Sequence, residues 1–303
     1  MTKTIAITGG KGGTGKTLIA TNLAINLANN GYKTLFIDCD VENPNSNILL
    51  GKSLTTPDVE KESIAIYKPS FLQESCTKCG ICRSACYRHA ILQFPDHFPS
   101  VLEHMCSGCK TCQKVCPNGA IITDSRIIGS QYFLKQAYSN LDLLVGELNP
   151  SEAISVKIVE ALFHYSEKLS EKANYDFIII DTAPGAHCDV EKSISDADLV
   201  IAVTEPTPFG EHDLNRILDL LDVVGQKADI ILNRSNLTHY QEPLRSLAKT
   251  RNCNIIGEIP VDSVVIEDYA KGLPFVLDTR NFPAKSAFNL IYSKILEGIT
   301  MEL

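Results

Sequence analysis

The chain has no basic block, no long apolar run and few cysteines outside one short stretch. Its 28 Lys and Arg stand against 36 Asp and Glu, a net charge of -8. Neutralising a nucleic-acid backbone takes clustered Lys and Arg, so no nucleic-acid partner is expected. No apolar segment reaches the ~18 residues that a bilayer span requires, which excludes membrane insertion. The first residues, Met1-Thr2-Lys3, run directly into a strand-like segment without the pattern of a secretory leader. The expectation is therefore a cytoplasmic protein in a reducing compartment. There, clustered cysteines point to metal rather than to disulfides. Of 11 cysteines, only Cys39, Cys188 and Cys253 lie outside the stretch from Cys76 to Cys116.

What is present is a regular alternation. The 303 residues are 44% hydrophobic, enough for one large domain and a smaller appendage. Short β-branched runs at residues 4–8, 34–38, 177–181, 199–204, 229–233 and 254–259 alternate with helical-length segments. That pattern predicts βα units around a parallel sheet covered on both faces. Residues 53–63 (SLTTPDVEKES) are polar and contain Pro57, and read as a linker; the βα pattern resumes near Arg126. Between them CTKCGICRSACYRHAI, starting at Cys76, recurs as CSGCKTCQKVCPNGAI, starting at Cys106. The predicted organisation is a discontinuous domain of residues 1–62 and 127–303, with a duplicated module at 63–126. Near the C-terminus, Phe288, Ile291, Tyr292, Ile295 and Ile299 share one face of a helix at 283–299. Its polar face mixes Lys285 and Lys294 with Glu297, so the helix is expected to pack on the core rather than on a membrane.

Residues 9–17 read GGKGGTGKT. From Gly10 to Thr17 this satisfies G-x-x-x-x-G-K-[ST], between a predicted strand and a predicted helix, which is the context a phosphate-binding loop needs. The candidate contacts are Gly10, Lys11, Gly12, Gly13, Thr14, Gly15, Lys16 and Thr17. Glycines let backbone N–H groups turn inward on phosphate oxygens, and the helix N-terminus adds positive potential. Lys16 would bridge the β- and γ-phosphates and the Thr17 hydroxyl would bind Mg²⁺.

Lys11, early in the loop, resembles the signature lysine of the MinD/ParA/nitrogenase-iron-protein family of P-loop ATPases. The resemblance implies a mostly parallel, doubly wound P-loop NTPase sheet. It also implies a nucleotide-sandwich homodimer, or a heterodimer with a paralogue, in which Lys11 reaches the partner's ATP. Asp38-Cys39-Asp40 is similar to the family's switch I, which gives Asp40 the attacking water and makes Asp38 a candidate around Mg²⁺. The run FIIIDTAPG ending at Gly185 resembles Walker B with switch II, and gives Asp181 the Mg²⁺ shell. Leu232-Asn233-Arg234 and the segment carrying Pro260 and Asp262 are similar to the family's base-binding elements. No guanine-selecting aspartate follows Asn233, which favours ATP.

The two cysteine runs, C-x2-C-x2-C-x3-C, match the bacterial two-cluster ferredoxin pattern. That resemblance implies two [4Fe–4S] clusters in a small α+β module, with crossed ligation. One set is Cys76, Cys79, Cys82 and Cys116; the other is Cys106, Cys109, Cys112 and Cys86. The sequence departs from the pattern at Tyr87, where proline is usual. A zinc module is the alternative, because Cys₄ zinc sites also use C-x2-C pairs. Cys188 falls seven residues after Asp181, the offset of a cluster ligand in the nitrogenase iron protein; the other reading is a small core residue.

Together these resemblances lead to an ATP-hydrolysing iron–sulfur protein that couples dimer and switch changes to electron transfer toward a redox partner. The alternatives are an iron–sulfur carrier ATPase and a MinD-like positioning ATPase with a redox-sensing module. The carrier would need a C-terminal C-x-x-C, and none follows Cys116.

Overall fold

The computed structural model describes residues 2–301. In chain order the first elements are β1 (Lys3–Thr8), α1 (Lys16–Asn29), β2 (Thr34–Cys39), α2 (Ser46–Leu49) and β3 (Val59–Phe71). The cysteine-rich stretch holds α3 (Ile81–Ser84), β4 (Ile91–Leu92), β5 (Ser100–Val101) and α4 (Thr111–Lys114). The chain returns through β6 (Ile121–Tyr138), β7 (Leu141–Leu148), α5 (Ser155–Ala173), β8 (Phe177–Thr182) and α6 (Cys188–Ile194). It ends with β9 (Leu199–Thr204), α7 (Pro208–Val224), β10 (Ala228–Asn233), α8 (Gln241–Thr250), β11 (Ile255–Ile259), α9 (Ser263–Ala270) and α10 (Pro283–Met301).

One sheet has the order β11-β10-β9-β1-β8-β2-β7-β6-β3. It is parallel from β11 to β7, and antiparallel where β6 joins β7 and β3. Strand alternation divides the core between the two faces. Ile5 and Ile7 pack with α1 and α10 on one side, and Ala6 packs with α5, α6, α7 and α8 on the other. The expected mostly parallel α/β sheet is thus observed, and α10 packs where its pattern predicted. Phe288, Ile291, Tyr292, Ile295 and Ile299 are all in the core. Burying Phe288 and Ile291 contributes about 1.5–3 kcal/mol each. A Cβ on Gly257 of β11 would lie 2.1 Å from Ile291 Cγ1, so only glycine lets this helix approach the sheet so closely.

Three strands were not anticipated. Val59–Phe71 and Ile121–Tyr138 form one long antiparallel ribbon, and Leu141–Leu148 joins β2 in parallel. Residues 59–63, expected inside a linker, are the first residues of β3. Their polarity follows from position: β3 is the outermost strand, and residues 60–63 are all exposed. An edge strand with little buried face loses the apolar alternation that betrays a strand. The cysteine-rich stretch therefore hangs on two strands of the main sheet.

The duplication survives in the backbone. α3 and α4 occupy equivalent positions in the two runs and pack on each other. Positive φ occurs at Lys78 and Gly108, at Gly80 and Lys110, and at His89 and Gly119, each pair matched between the repeats. Equivalent residues adopt the same left-handed turns although only one of each pair is glycine.

Candidate functional site

The phosphate loop leaves the C-terminal end of β1, where open α/β sheets place ligands. Gly13 and Gly15 have φ of 83° and 100°, and Gly15 starts α1. A side chain at Gly15 would collide with the Asn233 amide, whose Nδ2 lies 2.3 Å from the ideal Cβ position. That amide donates to the Thr14 carbonyl at 2.7 Å, so Asn233 at the end of β10 braces the loop from behind. Its Oδ1 accepts from the Arg234 N–H at 3.0 Å. Sequence reasoning put Asn233 on the base edge; here both ends of its amide are engaged by backbone, although it lines the cavity.

Lys16 is buried, and its Nζ donates to the Lys11 carbonyl at 3.0 Å. Burial lowers its pKa, opposed first by Asp181 and then by Asp40. Asp38 and Asp181 are register partners on β2 and β8, so two carboxylates meet beneath the loop. Asp38 Oδ1 accepts from Asp40 N at 3.1 Å, while Oδ2 accepts from Asn45 N at 3.2 Å and Ser46 N at 3.1 Å. Asp38 thus shapes the loop after β2. Burial pushes its carboxyl upward despite these donors.

Asp181 is different. It is 1% exposed and neither carboxylate oxygen completes a hydrogen bond. Its pKa is pushed well up, by burial first and then by the charge on Asp38, while Thr17 and Lys16 favour the anion. A buried carboxylate with both oxygens free is costly unless a cation joins it. The orphaned oxygens fit Mg²⁺, which would also relieve the repulsion from Asp38.

Asp40 faces the same cavity, and its pKa is raised to about 6, by burial and then by Asp38. If it positions water, Asp40→Asn should leave ATP binding intact and slow hydrolysis roughly 10²-fold. Single-turnover rates measured beside ATP affinity test this; unchanged rates would move the role elsewhere.

Beyond the loop opens a cavity of about 550 Å³. One side is Gly12, Gly13, Gly15, Lys16 and Thr17 of the phosphate loop, with Asp40 and Asn45; the other is Leu237, Pro260, Val265, Ile266, Tyr269 and Phe275. A polar cradle facing an apolar slot suits a nucleotide. Pro260 lines the slot as expected. Asp262 does too, but its carboxylate serves helix starts: Oδ1 accepts from Val264 N at 3.0 Å and Oδ2 from Ala284 N at 3.3 Å. Leu237, Ile266 and Tyr269 were not foreseen; nothing local in the sequence marks them as cavity walls.

Lys11 carries its amine away from this cradle. Nζ pairs with Glu205 Oε1 at 3.4 Å and lies 5.8 Å from the Phe209 ring centroid. Glu205, one residue past the end of β9, was also missed; the only signal was its place at a strand terminus.

The cysteines form two quartets. One hollow is lined by Cys76, Cys79, Cys82 and Cys116, and another by Cys86, Cys106, Cys109 and Cys112. Cys82 and Cys112 are buried with Tyr67, Ile91 and Ile121 in a small separate core. The Cys86 sulfur accepts from Ala90 N and the Cys116 sulfur from Ala120 N, both at 3.3 Å. Among the described residues, no three His, Cys, Asp or Glu side chains are grouped so as to hold a metal ion, so the two expected [4Fe–4S] ligand sets are not shown by this geometry. Cys188, at the start of α6, is exposed and outside both quartets, so the core reading of this residue fails. Cys39 is buried and Cys253 partly so.

Sheet order, phosphate loop and paired aspartates define a P-loop nucleotide-binding protein. The chain belongs to the CobQ/CobB/MinD/ParA nucleotide-binding domain family, whose sequence model matches residues 5–275. An uncharacterised protein from Methanocaldococcus jannaschii is 33% identical over 292 residues, covering 92% of this chain and 94% of that protein. The septum site-determining protein MinD of Synechocystis is 26% identical over 309 residues, covering 98% and 90%. Among solved structures, MinD of Pyrococcus horikoshii, complexed with Mg-ADP, superposes with a TM-score of 0.60 at 20% identity, covering 99% of this chain and 98% of the other. The cell division ATPase MinD of Pyrococcus furiosus gives a TM-score of 0.60 at 19% identity, covering 98% and 99%. At the level of the family, the protein is a MinD/ParA-like nucleotide-binding ATPase. Among the described residues, no helix is long and apolar enough to cross a membrane.

Proposed function

We propose that the protein is a MinD-like switch ATPase whose ATP-dependent self-association is governed by the redox state of a cysteine module at residues 63–126. The Mg-ADP named with the Pyrococcus horikoshii relative supports Mg·ATP as the ligand here. In this reading Gly10 to Thr17 cradle the phosphates, Lys16 spans the β- and γ-phosphates, and Asp181, Asp38 and Thr17 surround Mg²⁺. Asp40 holds the attacking water, while Pro260, Asn233 and Asp262 border the base. Lys11 acts on the nucleotide of a second copy or of a paralogue.

The observation that carries the redox half is the pairing of the cysteines. Each hollow draws three cysteines from one repeat and the fourth from the other. That is how a two-cluster ferredoxin distributes its ligands. Backbone N–H groups of Ala90 and Ala120 point at the Cys86 and Cys116 sulfurs, as hydrogen bonds to cluster ligands do. Bound clusters would supply one-electron redox capacity. The path to the nucleotide is short: β6 runs from the module into the sheet and pairs with β7, which pairs with β2, and β2 ends at Asp38 and Cys39. Arg126 adds a buried link, with Nη2 donating to the Cys106 carbonyl at 3.1 Å and Nη1 paired with Glu152 beyond β7.

Linkage makes this testable. If reduction changes the switch, oxidised and reduced protein must differ in ATP affinity, by about 5-fold or more for a coupling of ~1–3 kcal/mol. The same coupling appears as a potential shift of ~59 mV per tenfold change in affinity. Anaerobic titrations of both redox states measure it, and equal affinities with unmoved potentials would refute redox control. Delivery of electrons to a redox partner, the function first inferred from the motifs, would show instead as ATP-dependent reoxidation by an added acceptor.

A further inference from the structure

We propose that Glu205 is a positioning residue for Lys11: it holds the loop lysine within its own protomer and releases it when nucleotide-dependent assembly begins. This rests on the reading that Lys11 acts on bound nucleotide.

Glu205 stands on a rigid support. Its carbonyl accepts from Thr207 N at 2.8 Å, and Gly210 of α7 packs so tightly that a Cβ there would lie 2.1 Å from that oxygen. The Thr207 side chain caps α7 by accepting from Gly210 N at 2.9 Å. The backbone that carries the carboxylate is therefore fixed, and the side chain is only 9% exposed. Lys11 is its opposite: a long side chain, 44% exposed, on a glycine-rich loop.

The two oxygens of Glu205 serve different cations. Oε1 faces Lys11 at 3.4 Å and Oε2 accepts from Arg234 Nη1 at 3.0 Å. A nearly buried carboxylate left without a partner is costly. Arg234 removes that cost, since the charge stays neutralised after Lys11 departs. The Lys11 contact is the longer of the two, and it is a single flexible amine rather than a guanidinium, so it is the one that yields. Arg234 also lines the cavity, so the carboxylate is tied both to the loop lysine and to a cavity wall.

The test uses the intact chain and four proteins: wild type, Glu205→Gln, Lys11→Ala and the double variant. Glu205→Gln keeps the shape and an acceptor for Arg234 but discharges the hold on Lys11. It should raise ATP-dependent self-association and hydrolysis several-fold at limiting protein concentration. The same change in the Lys11→Ala background should do nothing. An equal effect of Glu205→Gln in both backgrounds, or a loss of self-association in Glu205→Gln with Lys11 present, would overturn the role of Glu205. Lys11→Ala behaving as wild type would overturn the reading of Lys11 itself, a separate result. Glu205→Asp, which retains the charge on a shorter arm, should fall between Gln and wild type. It also tests the idea if Glu205→Gln does not fold; an Asp variant matching wild type would then overturn it.

Discussion

Lys16→Ala should abolish ATP hydrolysis, lowering turnover by roughly 10³-fold or more, the order of effect expected when a preorganised charge is removed from a reacting phosphoryl group. The structure gives the reason. Lys16 is the buried amine of the loop, held over Asp181 and Asp40 with its Nζ on the Lys11 carbonyl. Burial there lowers its pKa, and the Asp181 and Asp40 carboxylates oppose that shift. Without it, Asp38, Asp40 and Asp181 would face the nucleotide phosphates with no protein cation among them. Lys11 does not substitute within its own protomer, because its amine turns away to Glu205 and, once released, serves the nucleotide of a second copy. The measurement is steady-state phosphate release at saturating Mg·ATP beside direct nucleotide binding. Turnover near wild type would refute the phosphate-loop assignment.

The second large effect concerns iron. Anaerobically purified protein should hold about eight irons, and the distribution of cysteines predicts how they are lost. Cys76 and Cys116 line the same hollow although they sit in different repeats, so the double variant Cys76→Ala/Cys116→Ala should keep about four irons. Cys76→Ala/Cys86→Ala removes one ligand from each hollow and should keep almost none. If each repeat instead bound its own cluster, the two outcomes would be reversed. Iron and sulfide assays with EPR of the reduced variants decide it, and stoichiometric zinc in the wild type would reject the clusters altogether.

The phosphate loop was legible because its residues lie a few positions apart. The glycines around Lys16 act through backbone shared by neighbours, so their spacing is close to their geometry. The apolar strands β1, β2, β8, β9 and β10 were legible within a residue or so, because a strand buried on both faces must be apolar throughout. Edge strand β3 was not, since it lies at the margin of the sheet with much of its surface in water. Asn233 and Asp262, expected beside the base, line the cavity, but their hydrogen bonds go to Thr14, Val264 and Ala284, partners that only folding brings near.

By itself the sequence determined a phosphate loop on a mostly parallel α/β sheet and a duplicated run of cysteines, because contiguous pattern suffices for both. Only the tertiary structure decided what the charged groups do with one another. It set Asp38 beside Asp181 across two strands, left Asp181 without a hydrogen bond, and brought Glu205 to Lys11 across 194 residues. Such pairings are not written in local spacing: they follow from strand order, which is fixed by how the whole chain buries its two apolar faces.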